Sequence, residues 1–262
     1  MDALLQVVLA CLCLGVVLTD DPVHFAKQVL RIDLDPHQQE VVRSIKPNVV
    51  VAGGRRSGKS LMAQVKAIHV AASNRGARVI VISPNIEAAR YWLRECAELL
   101  RLSALRDSVL NEETQSLVLS IGSAIVAIPA THGQLRGQGR NLRLVVVEES
   151  GFQSAEVIRD VRYALLDNFA AGAQLWQVGS PWGGTDHPFR SSYERGLTGD
   201  PDYESVRFRT TDNPRLPKDF IERERARLAP SEAAAELDGI WSSAVGALFD
   251  RELLEACVVD LY

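Results

Sequence analysis

The apolar positions of this chain fall into short runs that alternate with longer, amphipathic stretches. Runs of apolar and β-branched residues predict strands at 48–52, 78–83, 144–147, 174–179 and 206–209. Apolar residues spaced three and four apart predict helices, the clearest at 59–73, 85–101 and 156–166. Two further runs, 117–119 and 124–128, flank Gly122 and predict a β-hairpin. This alternation predicts an α/β fold, with a mostly parallel sheet covered by helices on both faces.

The regions on either side of this alternating part are helical in pattern. Before the first strand, the spacing predicts helices at 23–31 and 36–45. After Asn213 the strands stop, and charged helices are predicted at 217–228 and 231–237. Ser231 is expected to cap the last of these helices, because its hydroxyl suits that position. We therefore divide the chain into a core at 1–212 and a small helical subdomain at 213–262.

Residues 3–18 are nearly all apolar, and three interpretations compete for them. A membrane span needs about 20 apolar residues, and this run has 16. A secretory signal needs early positive charge, whereas Asp2 is the only early charge here. The third interpretation, a helix packed in the core or at an interface, is favoured, and no membrane association is expected.

The composition, 47% hydrophobic and 24% charged, is that of a soluble globular protein and excludes a disordered or collagen-like chain. The net charge of −4 argues against a protein that coats nucleic acid through bulk charge, so any such contact must use a local patch. The four cysteines and five histidines show no metal-binding spacing, and the cysteines form no disulfide framework. A reducing compartment is therefore expected.

A glycine-rich segment follows the first strand and fits the pattern G-x-x-x-x-G-K-[ST]. Its residues are Gly53, Gly54, Arg55, Arg56, Ser57, Gly58, Lys59 and Ser60. In such a P-loop, backbone N–H groups and the start of the next helix bind phosphate oxygens. Lys59 is expected to reach the β- and γ-phosphates of ATP, and the Ser60 hydroxyl to bind Mg²⁺. The alternative, a glycine turn with a surface lysine, is disfavoured because a buried strand precedes the loop and a helix follows it.

Two carboxylates end the predicted strand at 144–147. In P-loop ATPases one such carboxylate orders Mg²⁺, and the other orients the attacking water. We assign Glu148 to the metal and Glu149 to the water. A solvated acidic turn is the alternative, and the P-loop upstream makes the catalytic pair the better interpretation.

With these motifs, the chain resembles the ATPase domain of the large terminase subunit of tailed, double-stranded-DNA bacteriophages, over about 21–249. The resemblance rests on short motifs in a characteristic order: 34–38 (LDPHQ), 53–60, 82–84 (ISP), 135–137 (LRG), 148–149, 179–184 (GSPWGG), 212–217 (DNPRLP) and 236–241 (ELDGIW). It implies a P-loop NTPase core of the ASCE type with a C-terminal helical lid. The family's metal carboxylate is usually aspartate, so Glu148 departs from it by one methylene. The family's nuclease domain would begin where this sequence stops, so either the chain is a fragment or the nuclease is a separate part. No cleavage activity is expected of the chain itself.

The resemblance also implies roles for individual residues. Gln38 would read adenine, the alternative being an ordinary surface glutamine, and Ser180 would sense loss of the γ-phosphate. Arg136 would be an arginine finger offered to a neighbouring subunit, with Arg140 as the second candidate and a solvated loop as the alternative. One of Arg55 and Arg56 would touch the γ-phosphate in its own subunit.

The implied function is an ATP-driven motor that packages double-stranded DNA. It would act as a ring, a pentamer by resemblance, with the portal protein and the small terminase subunit as partners, in the host cytoplasm at the procapsid. Arg101 and Arg106 are candidate DNA contacts, whereas Arg223, Arg225 and Arg227 are better explained as a solvated charged helix. The competing functions are another helicase-like nucleic-acid ATPase, which would need a second core of similar size, and a nucleotide-dependent switch, which would not need Glu149.

Overall fold

The computed structural model describes residues 19–131, 135 and 140–241. Within them the α-helices are α1 (Pro22–Phe25), α2 (Pro36–Val42), α3 (Lys59–Ser73), α4 (Ile86–Arg101), α5 (Ala155–Phe169), α6 (Pro188–Leu197), α7 (Lys218–Arg225) and α8 (Pro230–Glu236). The strands are β1 (Asn48–Gly53), β2 (Arg78–Ser83), β3 (Val109–Glu112), β4 (Ser116–Leu119), β5 (Ala124–Pro129), β6 (Leu142–Val147), β7 (Gln174–Gly179) and β8 (Tyr203–Phe208).

All eight described strands form one sheet, in the order β3-β4-β5-β2-β6-β7-β1-β8. In this order, the last six strands (β5, β2, β6, β7, β1 and β8) pair in parallel with their neighbours. The pairs β3–β4 and β4–β5 are antiparallel. Strand β7 lies between β1, which leads into the P-loop, and β6, which leads into the two glutamates. Parallel strands end at the same edge of a sheet. This order therefore brings together the P-loop after β1, the two glutamates after β6 and the segment 179–184 at the end of β7.

Helices cover both faces of the sheet, as the sequence predicts. On one face α1 to α4 bury side chains such as Phe25, Ile68 and Trp92 against alternate residues of β1, β2 and β6. On the other face α5 packs Val161 and Leu165 against the intervening residues of β2, β6 and β7. The near-continuous apolar strands follow from this, since each residue of a parallel strand faces a covering layer.

Several predicted elements differ from the structure. Helix α6 and strand β3 were not predicted, and β8 begins three residues before its predicted start. The segment predicted as one helix at 23–31 is α1 followed by a π-helical turn at Ala26–Leu30. Helix α8 begins at Pro230 with Ala229 as its N-cap, so the assignment of Ser231 to that position was wrong.

The segment after β8 contains no strand among its described residues, which end at 241. It runs through a 3₁₀ turn at Thr210–Asp212 into α7 and α8. The carbonyl of Leu237 lies directly against the start of the P-loop. No helix in the described ranges is long and apolar enough to cross a membrane. The apolar run 3–18 lies outside those ranges.

Candidate nucleotide-binding site

The P-loop joins β1 to α3 through a backbone that curls back on itself. Arg56 and Gly58 both have left-handed backbone conformations, with φ of 60° and 87°. The 15-residue helix α3 begins at Lys59, directly after this turn. The positive end of its dipole and its first free N–H groups therefore face the space enclosed by the loop, which suits a phosphate.

Close packing explains why the first two P-loop positions are glycine. A Cβ at Gly54 would lie 2.7 Å from Thr210 Oγ1 and would also collide with the carbonyl oxygen of Leu237. At Gly53 a Cβ would lie within 3.2 Å of Lys59 and Phe208. The loop thus lies directly beneath the segment that follows β8.

Two polar side chains of the loop are buried and fit a phosphate group. Lys59 is buried, and its Nζ donates to the carbonyl of Gly54 at 3.1 Å. The hydroxyl of Ser57 is also buried and has no hydrogen-bond partner among the described residues. A buried hydroxyl without a partner is unusual, and a phosphate oxygen in the loop would supply one.

Glu148 lies at the end of β6, 5% exposed, with its Oε1 accepting a 2.9 Å hydrogen bond from Trp92 Nε1 of α4. Burial raises the pKa of Glu148 to about 7, whereas the bond from Trp92, the charge of Lys59 and a hydrogen bond from Ser60 act to lower it. Ser60 and Glu148 are therefore neighbours. Hydroxyl and carboxylate oxygens are the ligands Mg²⁺ prefers, so these two residues fit the predicted metal position.

Glu149 has a left-handed backbone, with φ of 47° and ψ of 46°. This conformation is uncommon for residues other than glycine and is found preferentially at functional sites. Gly179, at the end of β7, allows it: a Cβ there would lie 2.7 Å from Ser150 N and 3.2 Å from the Glu149 Cα. The turn after β6 is thus fitted against the end of β7.

The segment after β7 also packs against the turn that follows Glu149. A Cβ at Gly151 would lie 2.6 Å from the carbonyl oxygen of Ser180, and Ser180 is itself buried. The rings of Phe152 and Trp182 lie 5.4 Å apart. Ser180 therefore directly follows β7, the strand that lies between β1 and β6. Its role in sensing loss of the γ-phosphate stays a prediction.

A buried carboxylate that the sequence analysis did not identify connects three parts of the site. Glu236, at the end of α8, is 5% exposed. It forms an ion pair with Arg55 of the P-loop and accepts a 2.6 Å hydrogen bond from Trp182 Nε1. The bond to Glu236 raises the pKa of Arg55, and the charge of Glu149 acts in the same direction. The motif at 236–241 marks this residue, but 181 positions separate it from Arg55.

Gln38 is fully buried and uses its amide within the chain. Its Oε1 accepts from the backbone N–H of Asp35 at 2.8 Å, and its Nε2 donates to the carbonyl of Gly58 at 2.8 Å. It is therefore not the ordinary surface glutamine of the alternative interpretation. Its role in reading adenine stays a prediction.

The remaining predicted site residues are the two finger candidates and the two DNA contacts. Arg136 is outside the described residues, and Arg140 is exposed near the start of β6. Arg101 already forms ion pairs with Glu98 and Glu112, and Arg106 lies 3.4 Å from Asp107. Their surroundings are acidic, which does not favour a DNA surface, and their roles stay predictions.

Arginines 223, 225 and 227 also have carboxylate partners. Arg223 lies 3.2 Å from Asp219, Arg225 forms two hydrogen bonds of 2.6 and 2.7 Å to Asp238, and Arg227 lies 2.5 Å from Glu224. This pairing fits the interpretation of a charged helix rather than a DNA contact.

Comparison with solved structures identifies the same fold in phage proteins. The large terminase ATPase domain of Thermus phage P74-26 is 18% identical with a TM-score of 0.67, covering 85% of this chain and 98% of that domain. The large terminase of a thermophilic bacteriophage, in complex with ADP, is 16% identical with a TM-score of 0.66, covering 79% of this chain and 54% of that one. The large terminase of bacteriophage HK97 is 15% identical with a TM-score of 0.62, covering 90% of this chain and 50% of that one.

At these identities the likeness is one of fold, that of a P-loop NTPase resembling the ATPase domains of large terminases. No curated protein matches the sequence significantly. A protein-family model described as DEAD/DEAH box helicase matches residues 35–170, a range that includes the Gln38 segment, the P-loop and both glutamates. Since this match covers more than half of the sequence, the chain belongs to the DEAD/DEAH box helicase family.

Proposed function

We propose that this chain is an ATP-hydrolysing motor domain that drives double-stranded DNA into a phage procapsid. The observation that carries the proposal is the meeting of Lys59, Glu148 and Glu149 at one edge of the sheet, with β7 between their strands. The similar fold of the large terminase ATPase domains supports the packaging role.

ATP would bind with its phosphates in the loop formed by residues 53–60. The thermophilic bacteriophage's large terminase, which has a similar fold, forms complexes with ADP and with ATP-γ-S. Lys59 would neutralise the β- and γ-phosphates, while the N–H groups at the start of α3 bind their oxygens. One of the two P-loop arginines, Arg55 or Arg56, would contact the γ-phosphate.

Hydrolysis would depend on the division of work between the two glutamates. Ser60 and Glu148 would hold Mg²⁺, which when bound withdraws charge from the β- and γ-phosphate oxygens. Glu149 would orient the attacking water and accept its proton. Its partial exposure suits this role, because water can reach it, whereas Glu148 is buried.

A cation from a neighbouring subunit would complete the site. We propose Arg136 as this arginine finger and Arg140 as the second candidate, with the subunits arranged in a ring. Portal protein, small terminase subunit and the capsid would be the assembly partners. Residues 213–262 would act as a lid on the core at 1–212. Ser180 would sense loss of the γ-phosphate and transmit it to this lid.

A second candidate is a helicase-like nucleic-acid ATPase, which the family match favours. It would use the same P-loop, glutamates and adenine-side segment. The two candidates differ in what DNA does: a helicase separates strands, whereas a packaging motor moves an intact duplex.

ATP turnover as a function of protein concentration, with and without duplex DNA, tests the proposal. We expect specific activity to rise with concentration, and an equimolar mixture of the inactive variants Arg136→Ala and Glu149→Ala to recover activity. Glu40→Gln, an exposed carboxylate on α2, is the control and should match wild type. Flat specific activity with no recovery on mixing would contradict the finger in trans, and strand separation would favour the helicase.

A further inference from the structure

Trp92 is a buried residue of α4 whose indole N–H contacts the predicted metal carboxylate. Only 4% of the residue is exposed, and its Nε1 donates to Glu148 Oε1 at 2.9 Å. An indole N–H can only donate, so a buried tryptophan usually finds an acceptor. Here the acceptor is a carboxylate on a different element, and the contact leaves its second oxygen, Oε2, for another partner.

The backbone of Glu148 is also fixed on both sides. Its N–H donates to the carbonyl of Ile82 in β2 at 2.8 Å. Its carbonyl accepts from Gln153 Nε2 at 2.9 Å. The carboxylate can therefore change its position only by rotation within the side chain. A glutamate side chain is flexible, and holding one oxygen against the indole removes most of that freedom.

The helix that carries Trp92 is attached to the helix that carries the other predicted metal ligand. Gln64 of α3 donates through Nε2 to Glu95 Oε2 of α4 at 2.7 Å. Gln64 lies one turn after Ser60 on α3. Glu95 lies one turn after Trp92 on α4. Ser60 in turn forms a hydrogen bond with Glu148. Three elements, α3, α4 and β6, thus hold the carboxylate beside the Ser60 hydroxyl.

The length of the glutamate side chain matches this arrangement. An aspartate at the same backbone position would place its carboxylate about 1.5 Å closer to the strand, the length of one C–C bond. The backbone cannot follow, because Ile82 and Gln153 hold it. Adding that length to the 2.9 Å bond takes it beyond hydrogen-bond distance. The contact with the indole therefore depends on the longer side chain of Glu148.

We propose that Trp92 is a positioning residue for the metal: it holds Glu148 through Oε1 and leaves Oε2 for Mg²⁺ beside the Ser60 hydroxyl. The inference rests on the proposed function for the binding of nucleotide and Mg²⁺ at this site. Removing a partner that orients a metal-binding carboxylate typically lowers metal affinity by roughly 10- to 100-fold. Trp92 should therefore strengthen nucleotide binding only when Mg²⁺ is present.

The test measures binding of ATP-γ-S by calorimetry, once with excess Mg²⁺ and once with EDTA. Trp92→Phe removes the indole N–H and keeps a buried ring, whereas Glu148→Asp shortens the carboxylate side chain. A double variant combines the two. Trp176→Phe is the matched control, because Trp176 is fully buried in the same apolar cluster and its Nε1 has no partner among the described residues. Thermal melting checks that each variant folds.

We expect Trp92→Phe to weaken binding about tenfold with Mg²⁺ and to leave it unchanged with EDTA. Glu148→Asp should show a similar loss with Mg²⁺. The double variant should lose no more than Glu148→Asp alone, because the bond from the indole is already absent in that variant. Trp176→Phe should match wild type in both conditions.

An equal loss with Mg²⁺ and with EDTA, or no loss in folded Trp92→Phe, would overturn the proposal and leave the indole a packing residue. Losses that add in the double variant would also overturn it, because the two residues would then act separately. If Trp92→Phe does not fold, Glu148→Asp decides alone, and Mg²⁺-dependent binding equal to wild type would overturn the proposal. A wild-type chain that binds ATP-γ-S equally in both conditions would refute the proposed metal site, and this inference with it. A wild-type chain that does not bind ATP-γ-S at all would refute the proposed function as a whole.

Discussion

The P-loop is held from two sides, and the two sides differ in kind. From α2, His37 and Gln38 bind the carbonyls of Ser57 and Gly58. From the segment after β8, Thr210 Oγ1 donates to the Arg55 carbonyl at 2.8 Å, and Asn213 Nδ2 donates to the Arg56 carbonyl at 2.7 Å. Four successive carbonyls are thus bound by side chains, two from each side.

The two sides differ in how the contacting residues are attached to the rest of the protein. Helix α2 is attached to α3 within the core layer that covers the sheet. The segment after β8 instead meets the loop through the ion pair of Glu236 with Arg55, and the same carboxylate binds Trp182. We infer that the α2 side fixes the geometry of the loop, whereas the second side responds to changes in charge at the site.

The largest effect on stability concerns Lys66, which anchors the α2 side. Burial lowers its pKa from 10.5 to about 8, with the charge of Glu204 opposing the shift. Between these values the unfolded chain holds a proton that the folded chain has lost, so raising the pH favours folding. We expect the free energy of unfolding to gain on the order of 3 kcal/mol between pH 8 and 10.5 from this residue.

Chemical denaturation across that pH range, compared with Lys66→Met, measures this contribution. The variant should lack the gain. Equal pH dependence in the two proteins would show that the Lys66 ammonium keeps its usual pKa and that the α2 side is less firmly buried than the contacts indicate.

Gly54→Ala disturbs the opposite side of the loop. Its new Cβ would collide with the Leu237 carbonyl, and backbone cannot move aside as a flexible side chain can. We expect a loss of about 2 kcal/mol in stability and much weaker ATP binding. Gly184→Ala is the control, because a Cβ at Gly184 meets no atom within 4 Å. Similar melting temperatures for the two variants would contradict the close approach.

Trp182→Phe tests the link through Glu236 with a smaller effect. It removes the donor to a buried carboxylate while keeping an aromatic ring beside Phe152, and should cost about 1.5 kcal/mol. The matched variant is Trp241→Phe, because the Trp241 Nε1 is buried without a partner among the described residues. Its replacement should cost less. Denaturant unfolding measures the loss of stability in each variant. An equal loss in Trp182→Phe and Trp241→Phe would show that the hydrogen bond from Trp182 to Glu236 does not stabilise the fold.

The sequence predicted those parts of the site that lie within one local pattern. The P-loop and the pair Glu148 and Glu149 each directly follow an apolar strand, so spacing alone identified them. The sequence could not show that Trp92 binds Glu148, or that Glu236 binds Arg55, because these partners are 56 and 181 positions apart. The predicted core strands and the helices on both faces were confirmed for the same local reason.

The missed elements lack the local signal. Strand β3 has no buried residue, and Leu110 within it is exposed, so no alternation marks it. Helix α6 carries Gly196 in its last turn and two serines, which weaken a helical pattern. At α8, Pro230 fixes the backbone angle that suits a first helical residue, so the helix begins there and not after Ser231.

We propose that this edge of the sheet hydrolyses ATP and that Glu149 activates the attacking water. Glu149→Gln keeps the shape of the side chain and removes only its ability to accept a proton. Equilibrium binding of ATP and steady-state turnover should be measured on one preparation, with Mg²⁺ and duplex DNA at high protein concentration. We predict binding within about twofold of wild type and turnover reduced by at least about a hundredfold. Turnover near the wild-type rate with intact binding would show that Glu149 does not activate the water.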